Sequence, residues 1–203
     1  MVREMLWQDL PHDQQVGYGQ ENKILKLSDR KCIVVYSQRT VKNAETELRN
    51  YHHLIDAGFL VPQPIELVNV VIDNGSRKYT HRATNHNNLE SVPGLIKEFI
   101  SGEPSKDREK ILEYIDRLHE AGFTFRKGVS RNFIESQDGL FLVDCSYMLL
   151  ADNCWHFETA CRRYRDKIEH DLQLIEYFDN SSDPEDLIEP DCLETVLGAF
   201  GIQ

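Results

Sequence analysis

The sequence predicts an α+β protein in which a small antiparallel sheet with one helix is followed by a mostly helical half. Three observations indicate this fold class. Short apolar runs bounded by turn residues, typical of strands, are concentrated before residue 100. Apolar residues recur at helical spacing within 41–57, 105–121 and 155–178. Asp138-Gly139, between two further apolar runs, is a dipeptide that favours a tight hairpin turn.

The composition is that of an ordinary globular chain with one domain or two small lobes. Its 203 residues are 40% hydrophobic and 28% charged, and the formal net charge is -11. An acidic chain is a poor candidate for nucleic-acid binding, because phosphate contacts need clustered Lys and Arg. No apolar run reaches the ~18 residues of a membrane span, so no transmembrane segment is predicted. Five irregularly spaced cysteines favour reduced thiols and a cytoplasmic location.

The first strands are predicted after a short lead-in at residues 1–15. Ile24–Leu27 and Cys32–Tyr36 are apolar runs separated by a polar turn. Gly17 and Gly19 precede them, and a glycine pair between strands lets backbone N–H groups approach a phosphate. A turn that simply needs glycine explains the pair as well, so both interpretations stay open.

A helix is predicted next, from Val41 to Ala57, and Gly58 is placed to end it. A strand follows over 66–72, and then a polar stretch over 77–90 that we expect to be an exposed loop or an irregular strand. The last strand of the first half starts near Leu95 and runs into a Gly-Glu-Pro break. The boundary between the two lobes is therefore expected near residue 102, giving lobes of 1–102 and 103–203.

The most informative stretch of the second half is a helix end followed by a polar loop and a hairpin. Gly122 is placed to stop the helix that begins near Ser105. Asn132 stands just before the predicted hairpin and Asp144 at its end. An amide and a carboxylate held one hairpin apart can share a hard cation such as Mg²⁺ and turn it towards a phosphate.

Two helices are predicted after the hairpin, over 155–178 and 191–201. The first carries a cluster of basic residues on one side, namely Arg162, Arg163, Arg165 and Lys167. Such a cluster is either a solvated helix face or a docking site, and the solvated face is the simpler interpretation.

The central stretch resembles the catalytic segment of the protein-kinase-like superfamily. Leu118-His119-Glu120-Ala121-Gly122 is similar to its helix end, Asn132-Phe133-Ile134 to the start of its hairpin, and Leu142-Val143-Asp144 to its metal-binding aspartate. The small bacterial lipopolysaccharide-core heptose and Kdo kinases and the RIO-like kinases are the most similar members. The resemblance implies a minimal two-lobed kinase-like fold.

The resemblance also implies a set of site residues. Asn132 and Asp144 would bind Mg²⁺ and, with it, ATP. Gly17 and Gly19 would cover the phosphates. Glu47 is the first candidate for the inward glutamate of the family helix, and Glu45 is the second. Glu98 lies on the segment similar to the hinge strand, where backbone groups of the linker hold the adenine.

The sequence departs from the family pattern at two positions of the same functional system. Lys127 stands where the family has the loop aspartate that orients the acceptor hydroxyl. A lysine normally carries its own proton at neutral pH and cannot take that of the hydroxyl. The strand Cys32–Tyr36 also lacks the phosphate-binding lysine expected near Val34. Its substitute is one of four basic residues, Lys26, Arg39, Lys42 or Lys97.

Two functions follow from these matches and departures. One is an atypical kinase-like enzyme that binds Mg-ATP and transfers a phosphoryl group, or AMP as some members without the loop aspartate do, to an unidentified protein or saccharide acceptor. Lys127 and Asp144 are then its candidate catalytic residues, Lys127 as a point charge that neutralises a phosphate. The other is a pseudokinase that binds a partner protein and performs no chemistry.

Overall fold

The computed structural model describes residues 2–18, 22–36, 41–72 and 90–180. In this part of the chain, six strands form the main sheet: Arg3–Leu6 (β1), Gln15–Tyr18 (β2), Asn22–Ser28 (β3), Lys31–Tyr36 (β4), Pro64–Ile72 (β5) and Glu90–Glu98 (β6). Their spatial order is β1-β5-β6-β4-β3-β2. All neighbouring pairs are antiparallel except β1 and β5, which are parallel. The predicted mixture of α and β structure is confirmed.

The N-terminal residues contribute more to the sheet than the lead-in expected from sequence. Strand β1 adds an edge with Arg3 opposite Val68, which makes the sheet mixed rather than purely antiparallel. Trp7 and Leu10 then fold over the outer face of the sheet and are buried there. Two- to three-residue apolar signals in a polar segment are too short to predict such a cover.

The remaining elements are three helices and five short strands. They are Val41–Asp56 (α1), Glu103–Pro104 (β7), Arg108–Glu120 (α2), Phe123–Phe125 (β8), Phe133–Ser136 (β9), Gly139–Leu142 (β10), Met148–Leu150 (β11) and Phe157–Asn180 (α3). Strands β10, β9 and β7 form one small sheet, and β11 and β8 form another. Across the described ranges, no helix is long and apolar enough to cross a membrane.

Local signals place the helix ends close to their predicted positions. Gly58 follows α1 with φ +80° and Gly122 follows α2 with φ +83°, the left-handed conformation that glycine adopts without strain. Helix α2 begins at Arg108, three residues after the predicted start near Ser105, and Asp107 caps it. The Asp107 carboxylate accepts a hydrogen bond from Lys110 N at 3.1 Å, while Ser105 Oγ accepts one from Asp107 N.

Strand alternation divides the apolar residues of β4 between two cores. Val34 and Tyr36 face α1 and the second half of the chain, whereas Ile33 and Val35 face the outer core under Trp7. The inner core is continuous from Leu95 on β6 to Ile168 on α3. The hairpin that carries Asn132 and Asp144 is therefore packed against the helix and strands of the first half.

Two predictions lie outside the described residues. They are the polar loop over 77–90, except its last residue, and the final helix over 191–201.

Candidate functional site

The hairpin β9–β10 brings Asn132 and Asp144 to one end of the same small sheet. Phe133 lies opposite Leu142, and the next residues outward are joined by a hydrogen bond from Val143 N to Asn132 O at 2.9 Å. Gly139 closes the turn with φ +128°, which explains the glycine of the Asp-Gly pair. Asn132 therefore lies across the hairpin end from Val143, the residue that precedes Asp144.

Glu47 is at the centre of a buried polar network next to this hairpin end. Its side chain is 2% exposed, on the inward face of α1. Oε2 accepts hydrogen bonds from Tyr36 Oη at 2.5 Å and Ser146 Oγ at 2.9 Å. Oε1 lies 2.9 Å from Tyr51 Oη and 3.3 Å from Lys97 Nζ. Four donor groups lie around this carboxylate, and the single proton of Tyr51 Oη is directed either to Glu47 Oε1 or to Val143 O, 2.7 Å away.

Lys97 supplies the positive charge of the network from strand β6. Its side chain is buried, and Nζ donates to Tyr51 Oη at 2.5 Å and to Val143 O at 2.8 Å besides its ion pair with Glu47. Burial by itself would lower the pKa of Lys97, but the attraction of Glu47 and further acidic groups outweighs burial and raises it. Lys97 is therefore an ammonium whose three donors are all used.

Helix α1 holds the segment 143–146 through side chains one turn apart. Tyr51 Oη lies 2.7 Å from Val143 O, and Asn50 Nδ2 donates to Cys145 O at 2.6 Å. Glu47 accepts the bond from Ser146 Oγ described above. Residues i, i+3 and i+4 share one helix face, so α1 acts as a clamp along this segment.

Asp144 lies inside the clamped segment and is half-buried. Its Oδ1 accepts a hydrogen bond from Ser146 N at 3.0 Å. Burial raises the pKa of Asp144 above its ordinary value, and the charge of Glu47 raises it further. The backbone hydrogen bond from Ser146 and the charge of Lys97 lower the pKa of Asp144 without cancelling the increase. When Glu47 and Asp144 are both ionised, the site holds these two carboxylates and the one ammonium of Lys97, so its net charge is negative.

The other predicted site residues lie outside this network. Gly17 is on β2, beside an irregularity in its pairing with β3, while Gly19 is not among the described residues. Glu98 follows Lys97 on β6 and so faces the opposite side of the sheet, where its carboxylate accepts a bond from Gln63 N at 3.2 Å. Lys127 is exposed, with Nζ 4.9 Å from the centroid of the Tyr147 ring.

The pairing of Lys97 with Glu47 was only one of four possibilities in the sequence. Of the others, Lys26 binds Asp29 at 2.9 Å, and nothing is described of the Arg39 and Lys42 side chains. A lysine directly after an apolar run, as Lys97 is after Leu95 and Ile96, is a signal for a buried ion pair, since a buried ammonium requires a partner. Tyr36 and Tyr51 carried no such signal, because aromatic residues in a strand and on an apolar helix face are ordinary core residues.

The oxygen-bearing side chains at the hairpin end are of the kind that, together with a phosphate, bind a hard divalent cation. Mg²⁺ is commonly held by one or two protein oxygens, substrate phosphates and waters. Asn132 and Asp144 supply oxygens of that kind. In the described ranges there is no group of three or more His, Cys, Asp or Glu side chains arranged to hold a metal on its own. Comparison with protein-family models found no match, and no curated protein matches the sequence.

Proposed function

We propose that this protein is an atypical kinase-like protein that binds Mg-ATP and transfers a phosphoryl group, or AMP, to an acceptor. The observation that carries the proposal is the buried ion pair between Lys97 and Glu47. Lys97 Nζ also donates a hydrogen bond to the carbonyl oxygen of Val143, the residue before Asp144. Phosphoryl transfer in kinases requires a lysine–glutamate pair and a metal-binding aspartate in place together. Here the lysine is on β6 rather than β4.

Each residue has a distinct part in this proposal. Asp144 and Asn132 would hold Mg²⁺, which supplies charge neutralisation for the transferring phosphate. Glu47 holds Lys97, and both hold the segment that carries Asp144. The backbone around Gly17 and Gly19 would cover the phosphates. The excess negative charge of Glu47 and Asp144 over Lys97 favours the binding of a cation at Asp144.

A second candidate function, a pseudokinase that binds a partner protein, is favoured by a specific observation. All three donors of Lys97 are used by Glu47, Tyr51 and Val143, so none is directed at a phosphate. In addition, the exposed Lys127 occupies the loop position at which the kinase family has the aspartate that orients the acceptor. A closed network of this kind can stabilise a binding surface without supporting chemistry.

Thermal unfolding with and without ATP and Mg²⁺ tests nucleotide binding. A ligand that binds only the folded protein stabilises it by ~2.7 kcal/mol at a hundredfold excess over Kd. We expect Mg-ATP to raise the midpoint of the wild type, and we expect the rise to disappear in Asp144→Ala. Asp138→Ala, in the exposed hairpin turn, is the matched control and should keep the rise.

Turnover separates the two candidate functions. Phosphorus NMR would detect release of ADP or of pyrophosphate from ATP. Release by the wild type that Asp144→Ala abolishes supports the enzymatic function. A midpoint shift without any turnover supports the pseudokinase. No shift at millimolar Mg-ATP, in wild type and control alike, would refute nucleotide binding.

A further inference from the structure

Four exposed cations form a strip on the loop after β8 and on helix α3. The basic strip consists of Arg126, Lys127, Arg163 and Lys167. The chain as a whole has a formal net charge of -11, so a local concentration of positive charge stands out against its surface. Exposed charges of one sign attract ligands of the other sign.

The packing of the loop against α3 brings the two halves of the strip together. Gly128 lies so close to Tyr164 that a Cβ at this position would overlap the ring. Farther along, Ser130 N donates a hydrogen bond to Asp171, which lies two turns after Tyr164. The loop therefore runs along α3 between these two contacts.

Helix geometry places Arg163 and Lys167 beside this loop. Arg165 faces α2, where Nε binds Asp116 Oδ1 at 2.9 Å. Arg163 and Lys167 are each two residues from Arg165, and so lie about 160° from it around the helix axis. They consequently flank the loop on the side away from α2.

In the described part of the chain, the cations of the strip form no close ion pair, although the Asp171 carboxylate interacts with Lys167 over a longer distance. No ion pair within 4.0 Å joins Arg126, Lys127, Arg163 or Lys167 to an acidic side chain there. Arg165 on the same helix, in contrast, binds both Asp116 and Glu169. Exposed positive charge that no close ion pair neutralises is available to a ligand.

Arg126 and Lys127 of the strip contact the segment that follows Asp144 in the chain. Lys127 Nζ lies 4.9 Å from the Tyr147 ring centroid, and Arg126 N donates to Tyr147 O at 2.9 Å. Tyr147 is three residues after Asp144, and the loop continues directly into Asn132. A group bound to Lys127 would therefore lie next to the hairpin end.

The replacement of the loop aspartate by Lys127 has a chemical consequence for the acceptor. A hydroxyl acceptor carries a proton that must be removed as it attacks, and a protonated lysine cannot take it. A carboxylate or a phosphate oxygen is already deprotonated at neutral pH and needs no base. It needs instead a positive charge that offsets its repulsion from the phosphates of ATP.

We propose that the acceptor of this protein is an anionic oxygen, that of a carboxylate or phosphate group, held on the basic strip. This inference rests on the proposed function. The acceptor oxygen forms a bond to the γ-phosphorus of ATP while the bond from that phosphorus to the β–γ bridging oxygen breaks. ADP leaves with the electron pair, and no proton passes to the protein.

Inorganic phosphate and acetate are the probes for the two sources of anionic oxygen. We would measure the binding of each by NMR line broadening at constant ionic strength maintained with chloride, with glycerol as the neutral hydroxyl probe. We expect phosphate, acetate or both to bind the wild type and glycerol not to bind. Lys127→Met and the double variant Arg163→Gln/Lys167→Gln should each weaken binding about tenfold, as expected for lost charged hydrogen bonds.

Arg162→Gln is the matched control. Arg162 is exposed on the same helix but, being two residues from Tyr164, lies about 160° around the helix axis from the side that contacts the loop. It should bind the probes as the wild type does. Equal weakening in Arg162→Gln, or no binding of either anion to the wild type, would overturn the inference. A Mg-ATP midpoint shift measured without the probes tests the nucleotide site separately, so failure of the proposed function and failure of the anion site give different results.

Discussion

At the scale of single residues, the ionisable side chains of the site are more costly than their surface counterparts. Asp144 is half-buried near the carboxylate of Glu47, and its raised pKa shows that the fold penalises its charged form. Proteins retain destabilising residues of this kind chiefly where function requires them. This makes Asp144 the residue whose stability effect bears most directly on the site.

We predict that Asp144→Asn raises the stability of the ligand-free protein at neutral pH. An acid whose pKa is raised in the folded state favours folding below its unfolded pKa of about 3.9, and this contribution is lost as the pH rises through the folded value. The neutral amide avoids that loss. Urea unfolding from pH 4 to pH 7 should show a gain that grows with pH.

Asp138→Asn in the exposed turn serves as control for the removal of one negative charge from an acidic chain. It should show no comparable gain. Equal stability of Asp144→Asn and the wild type at pH 7 would contradict the raised pKa of Asp144.

At the scale of elements, one ion pair connects a strand, a helix and a hairpin end. Lys97 comes from β6 and Glu47 from α1, and the carbonyl of Val143 joins them to the segment after β10. These residues are separated by about fifty positions along the chain, so their contact depends on the packing of α1 against the sheet. The network therefore reports whether those elements are docked.

We predict that Lys97→Met destabilises the protein by about 3–5 kcal/mol, because it leaves the buried Glu47 carboxylate without a counter-charge. Adding Glu47→Gln in the same chain should restore part of the loss, since the remaining buried group is then neutral. Denaturant unfolding of the single and double variants measures both effects.

Lys26→Met is the control for this series. Lys26, on strand β3, pairs with the exposed Asp29 in the turn that follows this strand, and surface pairs contribute less than about 1 kcal/mol. A double variant as unstable as Lys97→Met would show that lost packing, and not the unpaired charge, causes the effect.

At the scale of the whole molecule, the sheet is covered on both faces. The inner face packs on α1 and the second half of the chain, while Trp7 and Leu10 of the N-terminal segment cover part of the outer face. Trp7 is 5% exposed and lies 5.1 Å below the Lys23 ammonium. The N-terminal residues are thus part of the folded core.

We predict that Trp7→Ala costs about 3–5 kcal/mol of stability, because it removes a large buried side chain and leaves a cavity. Trp155→Ala is a control of the same chemistry, since Trp155 is 100% exposed and should change stability by less than about 0.5 kcal/mol. Thermal or urea unfolding of the two variants decides, and equal effects would show that the N-terminal segment does not cover the sheet.

Local patterns in the sequence determined the secondary structure around the candidate site. Asp138-Gly139 predicted the hairpin, and Gly58 and Gly122 predicted the ends of α1 and α2, because turn and cap conformations depend on a few adjacent residues. The placement of Asn132 and Asp144 at the same end of one hairpin followed from the hairpin alone. These features need no information from distant parts of the chain.

The tertiary structure alone decided which residues surround Asp144. Contacts between distant segments decided that Glu47 pairs with Lys97 and not with Lys26. They also decided that the hydroxyls of Tyr36 and Tyr51 bond to Glu47, and that Trp7 lies over the sheet. The apolar pattern of a sequence predicts that a residue faces the core. A buried ion pair also requires a second residue, distant in the chain, whose opposite charge reaches the same part of the core. The sequence therefore determined the elements of the site, and only their packing determined its charge and its hydrogen bonds.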